Sequence, residues 1–207
     1  MRSRLWLALC VWHAVASMLV WWMGDGLGQW MTWRADDWMQ RPWTLWTSAW
    51  VHRNTPHLIS NQLAVGALAA MAWVLRPDAR ASVAWVVAWP LIPLCQPWWP
   101  IVGYYVGLSG LVHAAVAAVA VCWLISPGHH ALSRRWGVML AAGLTAKLLW
   151  EQAWARPVVW SEDLNMSVVQ SAHLVGATVA ALMTWVLMRV WPFRPSVVAK
   201  EFEPIQP

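Results

Sequence analysis

Apolar residues along this chain come in long unbroken runs, and the polar ones collect between them. A helix needs about 20 predominantly apolar residues to cross about 30 Å of hydrocarbon. Six segments approach that pattern, at about residues 5–23, 57–75, 81–95, 107–125, 136–154 and 165–191. The third must end by about Leu94, because Pro90, Pro93, Pro97 and Pro100 cannot sit in an undisturbed helix. The fourth stops before Pro127-Gly128. Arg2 and Arg4 precede the first run as they would in a signal peptide, but no small-x-small cleavage site follows and the run is long, which predicts a retained helix.

The connection at 24–56 is too long for a tight turn and is rich in Trp and polar residues. Such a segment is expected to lie in the headgroup zone, partly helical, with its indoles turned toward lipid and its charges toward water. Residues 195–207 read as a polar, disordered cytoplasmic tail. No repeat and no second domain is visible. The predicted fold class is an all-α polytopic membrane protein, with residues 1–194 forming one domain of six transmembrane helices.

Composition agrees with this pattern: the 207 residues are 60% hydrophobic and 11% charged, whereas soluble domains average about 25% charged residues. Twenty-two Trp beside two Phe and two Tyr make Trp both the bulky apolar filler and the interface anchor. The net charge of +5 points to no nucleic acid, because in a chain of this kind the placement of charge matters more than its sum. With the N-terminus in the cytoplasm, that side holds Arg2, Arg4, Arg76, Arg80, Arg134, Arg135, Arg189, Arg194 and Lys200, nine in all, against Arg34, Arg41, Arg53 and Arg156 on the other. The excess predicts both termini cytoplasmic, and the long first loop and the 155–164 connection exterior or periplasmic. The bilayer is the expected partner. Cys10, Cys95 and Cys122 show no metal-like spacing, and neither a metal nor a cofactor is expected.

Polar groups inside apolar spans are costly and usually face a bundle interior. Here they are His13, His57, Asn61, Ser109, His113 and His173, with Lys147 able to pair with Glu151 one turn later. His57 and Asn61 are i and i+4 on the second span, and Ser109 and His113 repeat that spacing on the fourth. From Ser109 to Ile125 the helix would rise about 24 Å, which puts the serine below the outer membrane face. His173, about ten residues past Asp163, falls at a comparable depth on the sixth span. Gly110, Ala114 and Ala118 form a small-residue ridge on one helix and Gly176 and Ala180 another, the pattern by which membrane helices approach closely. A serine beside an imidazole can be activated as a nucleophile. Alone, either residue would more often be a packing residue.

Gly107-Leu108-Ser109-Gly110 opening the fourth span, Ala172-His173-Leu174-Val175-Gly176 in the sixth and His57-Leu58-Ile59-Ser60-Asn61 at the start of the second together resemble the rhomboid family of intramembrane serine proteases. The resemblance implies a six-helix rhomboid-like bundle with Ser109 as nucleophile and His173 as general base, a pair with no carboxylate. It further implies an oxyanion site from the serine N–H with His57 and Asn61, and Gly107 and Gly110 letting the backbone bend and a substrate strand come near. Two positions depart from the family: Trp43 is followed by Thr44 where rhomboids often have Trp-Arg, and His113 stands where many have a tyrosine that stacks on the catalytic histidine. His113 is expected to take over that stacking.

The SGLVHA and SAHLVGA segments and the compact chain look more like rhombosortases, a bacterial branch of the family. That likeness implies an inner-membrane enzyme that opens to the periplasm and cuts exported proteins ending in a GlyGly-containing motif, a hydrophobic helix and a basic tail. Two other readings stand beside it: a general rhomboid acting on single-span proteins, and a non-catalytic rhomboid-like adaptor that binds transmembrane helices. A transporter is disfavoured by the lack of an inverted repeat.

Overall fold

A computed structural model describes residues 4–125 and 131–191. The predicted tail at 195–207, the stop at Pro127-Gly128, and Arg2, Arg194 and Lys200 of the charge count lie outside the described residues. The described chain is mostly helical. Its elements are α1 (Arg4–Met23), α2 (Asp25–Met31), β1 (Trp33–Arg34), α3 (Thr44–Thr47), α4 (Thr55–Leu75), α5 (Ala79–Leu94), β2 (Tyr104–Tyr105), α6 (Ser109–Ile125), α7 (Ala131–Glu151), β3 (Val158–Ser161), β4 (Met166–Val169) and α8 (Gln170–Val190). Each predicted apolar segment holds one helix. Three of them, α1, α4 and α8, are long and apolar enough to cross a membrane, while α5 and α6 are shorter apolar helices.

The helix ends follow from their residues. Asn54 caps α4 by accepting a hydrogen bond from the His57 N–H (2.9 Å), with Pro56 in the first turn, where no intrahelical donor is needed. Asp78 caps α5 in the same way through the Arg80 and Ala81 N–H groups. Pro90 and Pro93 lie inside α5. They remove only donors near the helix end, so the helix runs on to Leu94 instead of breaking at the first proline. Two boundaries differ from expectation. The sixth segment becomes helical only at Gln170, because residues 166–169 pair antiparallel with Val158–Ser161, Val158 opposite Val169 and Val159 opposite Val168. These β-branched pairs favour a strand, and Asn165, at φ +47°, closes the turn between them. The fifth helix stops at Glu151, where Gln152 turns left-handed (φ +50°), so residues 152–154 lie beyond it.

The core is built around α6, which packs most extensively on α8 and also on α5, α7 and α4. Ala114, Ala115 and Ala118 are fully buried on α6 and Ala172 and Ala180 on α8. The crossing is close because it lacks side chains: a Cβ on Gly176 would collide with the Gly110 carbonyl oxygen, and one on Gly110 would lie 3.1 Å from the Ala172 carbonyl. On the other flank, the Trp6 indole of α1 donates to the Leu68 carbonyl of α4 (2.9 Å), and Gln62 donates back to Ala14 (3.1 Å). Large apolar side chains such as Trp12, Leu63, Trp73, Trp150 and Leu182 point outward from these helices.

The 24–56 connection is partly helical and tied to the core. Trp33 departs from the expected lipid-facing indoles: it is fully buried, and its strand pairs with β2, Trp33 opposite Tyr105. Trp43 stacks on Trp30 with ring centroids 4.7 Å apart. Arg41, two positions earlier, donates to the Gln29 and Trp30 carbonyls and pairs with Asp37. His52, at the end of this connection, is buried, bonds the Trp50 carbonyl through Nδ1 (3.0 Å) and lies 4.8 Å from the His57 ring.

Two outcomes follow from this packing. Gly176→Ala should lower the melting temperature in detergent, costing about 1–3 kcal/mol from overpacking. Gly143→Ala, whose added methyl meets nothing within 4 Å, should leave stability unchanged or raise it by up to about 1 kcal/mol; equal losses from both would refute the crossing. Burial pushes the His52 imidazole down from its ordinary value to about 4. The unfolded chain then binds a proton there between about pH 6.5 and 4 that the folded chain refuses, so folding stability falls as pH falls through that window. Melting curves across it should flatten in His52→Gln, by about 3 kcal/mol at most.

Candidate active site

Ser109 is the first residue of α6, and the turn before it is forced by Gly107. Gly107 has φ +101°, and a Cβ there would sit 2.5 Å from His57 Nε2 and 3.5 Å from Asn61 Nδ2. Both the conformation and the close approach demand glycine. The turn is bolted at each end: the Gly107 N–H donates to the Ser48 carbonyl (3.0 Å), and the buried Tyr105 hydroxyl donates to the Gly107 carbonyl (3.0 Å).

His173 lies in the first turn of α8. That turn is fixed to the end of α5 by the buried Ser171 hydroxyl, which donates to Gln96 Oε1 (2.6 Å), while Gln96 Nε2 donates to the Ile92 carbonyl. His173 Nε2 stands 3.0 Å from Ser109 Oγ. Its Nδ1 stands 3.0 Å from both carboxylate oxygens of Glu151. An ionised carboxylate only accepts, so in the neutral ring Nδ1 carries the proton and the Nε2 lone pair receives the serine O–H. The resemblance implied a serine and histidine without a carboxylate, and on this point the structure differs. Because α7 ends at Glu151, its last side chain reaches across to α8, and Lys147 Nζ holds Oε1 at 2.5 Å.

His113, one turn below Ser109, stacks face to face on His173, with centroids 4.0 Å apart and planes 9° apart. Its Nδ1 bonds the Ser109 carbonyl (2.7 Å). His113, Glu151 and His173 bring ligand atoms within 4.8 Å of one another. They are not arranged as a metal centre: the in-plane lone pairs of two parallel stacked rings cannot converge on one ion about 2.0–2.1 Å from each nitrogen, and His173 Nδ1 is already bonded to the carboxylate.

His57 and Asn61, one turn apart on α4, face Gly107 together. The His57 Nδ1 accepts from the Arg53 N–H (3.4 Å), which leaves the ring proton on Nε2 beside the glycine. Asn61 Nδ2 is buried with no hydrogen-bond partner, a costly state for a donor. The first N–H groups of α6, those of Ser109 and Gly110, have no acceptor within the helix and sit at its positive end. Donors from two helices therefore flank the Gly107–Ser109 turn. Gly110 also serves the α6–α8 crossing, while Gly176 and Ala180 belong to that crossing alone and contribute nothing to the donor cluster. His13 lies elsewhere, accepting from the Trp50 indole (3.2 Å) and packed on Trp89.

Sequence reasoning passed over Glu151 as a site residue, along with Tyr105, Gln96 and Asn54. A signal for the first was present: Glu151 is the only acidic residue in any of the six predicted spans. Asn54, besides capping α4, donates to the Leu164 carbonyl (2.6 Å) and so ties that helix to the turn of the β3–β4 hairpin. Compared with known proteins, the chain matches no protein-family model and no curated protein.

Proposed function

We propose that the protein is an intramembrane serine protease of rhomboid type, with Ser109 as nucleophile and His173 as general base. The observation that carries this reading is the 3.0 Å contact between Ser109 Oγ and His173 Nε2, made between two helices at a glycine-forced turn. In the proposed reaction Ser109 Oγ attacks the scissile carbonyl carbon while its proton passes to His173 Nε2. The negative oxygen that forms is met by His57 Nε2–H, Asn61 Nδ2–H and the α6 N-terminus. His173 then gives its proton to the departing amine as the C–N bond breaks. Water, activated by the same imidazole, releases the acyl group from the serine.

In this reading all six long helices cross the bilayer with both termini cytoplasmic, an orientation supported by the nine-to-four distribution of Lys and Arg. Seventeen residues of α6 rise about 26 Å, enough to span when the Ser109 end opens to an aqueous recess on the periplasmic side. The substrate class follows from the likeness to rhombosortases: C-terminal transmembrane tails of exported proteins in the bacterial inner membrane.

The test uses purified full-length protein and a reporter ending in a GlyGly motif, an apolar helix and a basic tail. Wild type should cleave it and be labelled by a fluorophosphonate, and Ser109→Ala and His173→Ala should each lose at least about 10³-fold in cleavage. Cleavage by Ser109→Ala at the wild-type rate would sink the reading, and a wild type that is never labelled would favour a helix-binding adaptor. Replacing GlyGly in the reporter should abolish cutting; unchanged cutting would favour a general rhomboid. Asn61→Ala should lower kcat by about 10²–10³ with little change in KM, since the amide is proposed to meet the oxyanion and not the bound ground state.

A further inference from the structure

We infer that Glu151 is the positioning carboxylate of a Ser109-His173-Glu151 triad, clamped in place by Lys147. This rests on the protease reading and goes beyond the carboxylate-free pair that the family resemblance implies. A simple helix-surface pair between Lys147 and Glu151 would leave both side chains turned outward. Instead the lysine side chain is 50% exposed and the glutamate 8%. The carboxylate faces inward and sets both oxygens at 3.0 Å from one ring nitrogen of a histidine that is itself 4% exposed. Burying a carboxylate is costly unless it is paired and hydrogen-bonded, and here it has a cation on one side and an N–H on the other.

Its role follows from proton positions. By accepting from Nδ1–H, Glu151 excludes the tautomer in which Nε2 carries the proton and could not take one from Ser109. When the serine proton arrives at Nε2, Nδ1 keeps its own proton and the ring becomes cationic between His113 and the carboxylate. Glu151 stays ionised throughout. The Nε2 proton leaves with the amine product, and the ring returns to its starting form.

Glu151→Gln separates this role from a structural one. The amide oxygen can still accept from Lys147, but the amide N–H donates to Nδ1 and drives the ring proton to Nε2. Fluorophosphonate labelling and reporter cleavage should fall about 10³- to 10⁴-fold, mainly in kcat, with the melting temperature little changed. Glu151→Asp should recover at least about tenfold over the glutamine variant, because it restores an acceptor. In spectra of histidine-labelled wild type, a low-field Nδ1 proton should be present and should vanish in His173→Ala. A glutamine variant that labels and cleaves within about threefold of wild type, while Ser109→Ala does neither, overturns the triad and leaves the protease standing. Should the glutamine variant fail to fold, the wild-type spectrum decides: the low-field proton supports the triad, and its absence overturns it. A wild type that is never labelled removes both readings together.

Discussion

The close crossing of α6 and α8 is the constraint on which the site depends. Ser109 and His173 are 64 residues apart in the chain and share no secondary structure. A hydrogen bond between them survives only a few tenths of an ångström of drift. For helices in lipid, as proposed for this bundle, no hydrophobic force drives one onto another, so approach depends on close van der Waals packing and on hydrogen bonds between helices. Gly176 over the Gly110 carbonyl supplies the first, and the Ser171–Gln96 bond between α8 and the end of α5 supplies the second. Each lies within a turn of Ser109 or His173. A methyl group at the crossing would therefore move the serine and the imidazole apart as well as weaken the fold.

The second constraint is the Gly107 turn, where backbone and side chains are bound so that some donors have to stay unbound. Ser48 and Tyr105 take up the Gly107 N–H and carbonyl. What remains around the turn is donor-rich: His57 Nε2, the orphaned Asn61 amide and the start of α6. Leaving a buried amide unpartnered costs about 1–3 kcal/mol. Fixed, unpaired donors in a water-poor site are also what a developing oxyanion needs, because they require no reorganisation when charge appears. The cost in stability and the proposed role thus come from the same atoms.

Apolar run length located a helix in all six segments, and the i, i+4 pairs put His57 with Asn61 and Ser109 with His113 on shared faces, as the structure has them. Where the pattern misled, short-range chemistry won over hydropathy. Residues 166–169 are as apolar as a helix start, yet their β-branched partners at Val158 and Val159 take them into a hairpin. Trp33 read as an interface anchor because burial by a distant partner, here Tyr105, leaves no mark on local sequence. Glu151 was passed over for a related reason: its i, i+4 lysine accounts for it locally, and only the ending of α7 beside α8 reveals the second contact.

Electrostatics gives that second contact its weight. During the proposed proton transfer the imidazole becomes cationic a short way from Lys147, with the neutral ring of His113 stacked on its face. Two unit positive charges in a medium of low effective dielectric repel strongly, by about 4 kcal/mol at 4 Å even with an effective dielectric of 20. With Glu151 between them the three groups carry a net charge of one instead of two, and each cation faces the shared carboxylate. Removing the carboxylate while keeping the lysine would be worse than removing both, because the cation left behind would oppose the charge that the reaction must create. The lysine is therefore tolerable so near the proposed general base only because the glutamate is there, and the pair is better understood as one neutral unit built at the end of α7 than as a helix-surface salt bridge that happens to touch a histidine.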